Sequence, residues 1–64
     1  MRMLSIAIKN AGMTMQKFAD LSQIPYYRIA LILYGHDFLS KEEQYKIKKA
    51  FGDNIFLPST TQNV

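Results

Sequence analysis

Pro25 is the residue that most limits what this chain can fold into. It has no amide hydrogen and biases Ile24 away from the helical region, so a helix arriving from the N-terminal side must stop before it. The same ring is well suited to the first turn of a new helix. Residues 14–35, TMQKFADLSQIPYYRIALILYG, therefore read as two short helices with one sharp break at Gln23-Ile24-Pro25. A chain of 64 residues has room for one such feature and one small core.

The punctuation around this stretch is consistent with it. Leu4, Ala7, Ile8 and Ala11 follow the 3-4-3 spacing of one helical face, and Gly12 then fits a left-handed C-cap. Thr14 is a good N-cap, and Met13 with Phe18 occupies the two positions of a hydrophobic staple. A helix from Met15 to about Ser22 buries Phe18, Ala19 and Ser22, and the small Ala19 permits close helix crossing. The helix after Pro25 runs to Tyr34, is closed by Gly35, and turns Ile29 and Ile32 inward together with Ile24.

Farther on, His36 to Leu39 reads as a loop whose Phe38 and Leu39 cover the core. Ser40-Lys41-Glu42-Glu43 is a full capping box and opens a helix to Phe51. Its apolar contribution is Tyr45, Ile47, Ala50 and Phe51, and Gly52 ends it. Acidic residues open this helix and lysines close it, as the macrodipole favours. Asn54-Ile55-Phe56-Leu57 either packs on the core, pairs as a short strand in a dimer, or does neither. The expected architecture is all-α, a compact four- to five-helix bundle over residues 1–57 with a short flexible C-terminal tail at 58–64.

Composition narrows the function classes. There are no cysteines and one histidine, so neither a disulfide, a thiolate zinc site nor a histidine metal cluster is expected. No nucleophile stands beside a base and no carboxylates cluster, so an enzyme, a cofactor and a small-molecule substrate are not expected. The longest apolar run, 29–33, is far too short for a bilayer, and the start lacks a signal-peptide pattern, which suggests a cytoplasmic protein. The net charge of +3 and a pI near 9.4 favour an anionic partner.

The order of these elements resembles the lambda-repressor/Cro-type helix-turn-helix family, in particular small phage or mobile-element regulators. Gly12, Met13, Thr14, Phe18, Ala19, Ile24, Ile29, Ile32 and Gly35 fall on that family's register, as do Ser40, Ile47, Ala50, Phe51 and Gly52 in the following helix. The resemblance covers about residues 3–57. Four positions depart from the pattern. Gln23 replaces the turn glycine, and Pro25 replaces the hydroxylated cap of the third helix. Met15 holds the slot of a phosphate-binding glutamine, now shifted to Gln16, and Tyr34 replaces the polar residue before Gly35.

The resemblance implies double-stranded DNA binding by a homodimer that regulates transcription, typically as a repressor, through the helix around 25–34. By register, Tyr26, Tyr27, Arg28, Ala30 and Leu31 would read bases, with Arg28 able to form a bidentate pair with guanine. Thr14, Gln16, Lys17, His36 and Lys41 would meet phosphates. Leu33, Tyr34, Phe38, Ile55, Phe56 and Leu57 would form a dimer or partner interface. The run IALIL has no polar residue, which is unusual for a helix beside water. It leaves open an alternative in which the same face binds a protein, as an antirepressor or inhibitor does.

Overall fold

A computed structural model describes residues 2–58, and the expected flexible tail lies, apart from Pro58, outside the described residues. The described chain is all-helical: α1 Arg2–Ala11, α2 Met15–Ser22, α3 Tyr26–Leu33 and α4 Lys41–Phe51. Helix α2 packs against α3 and α4, while α1 crosses α2 and α3. No helix among the described residues is long and apolar enough to cross a membrane.

Each boundary has a local cause. The Thr14 hydroxyl accepts from the Lys17 amide at 3.2 Å and starts α2. At the other end Gln23, which replaces the turn glycine of the resembled pattern, adopts φ 61° and ψ 37°, in the left-handed region. Its amide donates to Asp20 O at 3.3 Å, and the Ile24 amide donates to Ala19 O at 3.1 Å. That pair of bonds forms a Schellman close, with the buried Ile24 and Ala19 at its two apolar positions. Helix α3 closes the same way: Gly35 donates to Ile32 O, and His36 donates to Leu31 O. In α4 both halves of the capping box form, with Ser40 Oγ accepting from Glu43 N and Glu43 Oε1 accepting from Ser40 N.

The core draws on every element: Leu4 and Ala7 from α1, Phe18 and Ala19 from α2, Ile29 and Ile32 from α3, and Ile47 from α4. Ile24, Leu39 and Ile55 close it from the connecting segments. Phe51 stacks on Phe18 with centroids 4.8 Å apart and planes 9° from parallel, tying the end of α4 to α2. The segment after α4 packs on the core: Ile55 is buried, and the Asn10 side-chain amide donates to Ile55 O and Leu57 O, each at 2.8 Å.

Three expectations need correction. Phe38 does not cover the core and is 77% exposed, because its neighbour Leu39 takes the inward position of the loop. Tyr45 is exposed because it stands two residues before Ile47, about 200° around α4, and so faces away from the core. It meets Lys49 Nζ instead, 5.9 Å from its ring centroid. Ala50 is exposed because it lines a shallow opening between α4 and the end of α2 rather than a filled seam.

The left-handed Gln23 yields a test. A side chain in that region costs about 1–2 kcal/mol, while a glycine there adds about 0.4–1 kcal/mol of unfolded-state entropy. Gln23→Gly is therefore expected to stabilise the fold by roughly 0.5–1 kcal/mol, raising the thermal midpoint by a few degrees in a domain of this size. A lower midpoint by circular dichroism would contradict this account of the turn.

Candidate nucleic-acid interface

Helix α3 carries most of the candidate site, and its two sides are set by helical geometry. Ile29 and Ile32 are fully buried and define the inward direction. At about 100° per residue, Tyr26, Tyr27, Ala30, Leu31 and Tyr34 span an arc of roughly 140° centred opposite that seam. Tyr26, Tyr27, Leu31 and Tyr34 are exposed by 45%, 64%, 38% and 72%, and Ala30 is half-buried. The outward arc is thus aromatic and aliphatic, with phenolic hydroxyls as its side-chain polar groups. Four of the five residues expected to read bases lie on this arc.

Arg28, the fifth, lies to one side of the arc and is held within the chain. Its Nε and Nη2 donate to Glu43 Oε2 and Oε1 at 2.8 and 2.9 Å, a bidentate pair between the first turns of α3 and α4. Nη1 donates to Asp37 in the α3–α4 loop, and Nη2 also reaches Phe38 O at 3.4 Å. The Arg28 side chain retains 22% of its surface and Glu43 14%, against 47% for Asp37, so Glu43 is the better shielded partner. A guanidinium engaged this way must release Glu43 before it can present its fork to a guanine.

The electrostatics follow from these contacts. Arg28 holds the Glu43 carboxyl below its ordinary 4.5, with help from the Ser40 amide and against the effect of burial. Asp37 is held below its ordinary 3.8 by Arg28 first and by the Phe38 amide second. The two carboxylates in turn raise Arg28 above its usual value. One cation against two anions leaves this corner of the site with no surplus positive charge.

The expected phosphate contacts come from α2, the α3–α4 loop and the start of α4. Lys17, His36 and Lys41 are exposed. Thr14 caps α2, and the Gln16 amide donates to Asp20 Oδ1 at 3.0 Å, so both already have intrahelical work. The expected interface set divides. Tyr34, Phe38 and Leu57 are exposed, whereas Ile55 is buried and Leu33 and Phe56 pack partly against the core. The shallow opening of about 220 Å³ lies elsewhere, lined by Leu21, Ser22, Gln23, Lys46, Lys49 and Ala50. It is smaller than the usual 300–1,000 Å³ of a small-molecule pocket.

Sequence reasoning missed the Arg28–Glu43–Asp37 cluster. No local signal in the sequence pointed to it, because Arg28 lies nine and fifteen residues from its two partners. No protein-family model, curated protein or solved structure matches this chain.

The ion cluster predicts an acid limb of stability. Both carboxylates have depressed values in the folded chain. Their contribution is therefore fully present above the ordinary values of 3.8 and 4.5 and is lost as pH falls below them. Glu43→Gln can keep the capping box but loses the better shielded of the two ionic partners of Arg28. Thermal midpoints measured from pH 7 to pH 2 should fall less steeply for that variant than for the natural chain. Equal slopes would show that Glu43 contributes nothing to the acid limb.

Proposed function

We propose that the chain is a helix-turn-helix domain of the lambda-repressor/Cro kind that binds duplex DNA as a homodimer and regulates transcription. The observation that carries this reading is the outward arc of α3. An eight-residue helix is seated on the core by Ile29 and Ile32, and its opposite side presents side chains across its whole length. The threonine-capped α2 beside it and the three-residue turn with a left-handed Gln23 support the same reading. In it, Tyr26, Tyr27, Ala30 and Leu31 on the outward arc meet base edges in the major groove. Lys17, His36 and Lys41 anchor phosphates, with Thr14 and Gln16 at the start of α2 in support. Arg28 becomes a positioning residue that fixes the angle of α3 through Glu43.

The dimer would bring two such helices to half-sites about 34 Å apart. Exposed Phe38 and Leu57, together with Tyr34, are the members of the expected interface set available to join the protomers. A cytoplasmic location accords with this role.

A second reading is favoured by one specific observation: α3 presents apolar surface, and its only cation is already paired. In that reading the same arc binds a protein and the domain acts as an antirepressor or inhibitor. Salt dependence separates the two. Duplex binding should weaken linearly in log affinity against log salt, and Lys17→Ala or Lys41→Ala should each reduce the slope by about one. Tyr27→Ala and Leu31→Ala should weaken specific binding about tenfold or more while circular dichroism stays unchanged. A protein that retains no duplex at low salt, yet captures one protein partner through Tyr27 and Leu31, would overturn the DNA reading.

A further inference from the structure

We infer that α3 selects A·T base pairs by apolar contact with thymine methyl groups. This inference rests on the DNA reading above and names the kind of site that reading would require. It follows from a comparison of what the helix offers with what each base displays. In the major groove guanine displays two acceptors, O6 and N7, which a forked donor satisfies best. The only fork on α3 is Arg28, and three of its nitrogens are committed to Glu43 and Asp37. Cytosine displays an N4 donor suited to a carboxylate, and α3 carries no acidic residue.

Thymine is the base that displays an apolar group, its C5 methyl, in the same groove. Leu31, half-buried Ala30 and the faces of Tyr26 and Tyr27 supply apolar surface on the side of α3 opposite its core seam. The phenolic hydroxyls can each donate or accept one hydrogen bond, which suits the single acceptor O4 of thymine or the N6 donor of adenine. The occupant also fits the distribution of charge. The outward arc of α3 is uncharged, while exposed Lys17 on α2 and Lys41 at the start of α4 supply cations for the phosphates. Sequence discrimination and electrostatic attraction would then come from different elements.

The test uses the full chain and duplexes enriched by it from a random-sequence pool. In the best duplex each thymine is replaced in turn by uracil, which keeps every base-pairing and groove hydrogen-bond group and removes only the methyl. Uracil at a contacted position should weaken binding about fourfold per methyl, the penalty of leaving one such group out of an apolar contact. Leu31→Ala should respond less to one of these replacements than the natural chain does. Full affinity for the uracil-substituted duplexes would overturn the inference while leaving DNA binding intact. So would enrichment of sites whose invariant positions are G·C pairs. Enrichment of no duplex at all would overturn the DNA reading and this inference together.

Discussion

Glu43 carries more of this structure than its place in a short helix suggests. One of its oxygens closes the capping box by accepting the Ser40 amide, and both receive the Arg28 fork. Charge-assisted bonds of this geometry are directional as well as strong. The pair therefore fixes the first turn of α3 against the first turn of α4 at a defined angle. Asp37 adds a second hold from the intervening loop. Its greater exposure makes it the weaker of the two, since solvent screens what it gains. Removing Glu43 would thus act on the orientation of α3 as well as on the cap.

The same interaction acts on the flank of the outward face. A free arginine in the first turn of α3 would give that helix a charged recognition group. Paired with Glu43, it is taken out of contention, and the face left behind is built from tyrosines, leucine and alanine. The apolar surface of α3 comes from the residues on its outward arc, and the pairing keeps the flanking Arg28 from adding a free charge beside it. The core beneath sets the rest: Ile29 and Ile32 determine which way the helix is turned, and Ala19 and Ile24 close the turn from α2.

Much of the architecture was legible in the sequence because its determinants are local. Thr14, Gly12, Pro25, Gly35 and the Ser40–Glu43 box each act within a few residues, where one capping or proline rule decides the outcome. The inward pair Ile29 and Ile32 followed from helical period alone. What escaped the sequence was set by contacts between elements. Arg28 meets partners nine and fifteen residues away, and nothing in the spacing of a loop announces that it will fold both carboxylates onto one guanidinium. Phe38 and Leu39 are adjacent in a segment with no regular period, so their order in the core depended on the path of the loop. Asn10 meeting the carbonyls of Ile55 and Leu57 joins nearly the two ends of the described chain and has no local signature.

These arrangements separate charge from shape in a way that bears on the proposed function. The lysines stand on α1, α2 and α4, while the outward arc of α3 bears none. Phosphate attraction is sequence-independent and falls with salt, whereas contact between apolar groups is local and nearly insensitive to salt. A domain built this way would gain most of its affinity from one set of residues and its discrimination from another. Raising the salt would then weaken binding to all duplexes while leaving the ratio between preferred and other sites nearly unchanged. A helix that read bases through a free arginine would lose both together. In the proposed function the pairing of Arg28 with Glu43 would make the two separable, because the remaining positive charge then lies on residues outside the outward arc of α3.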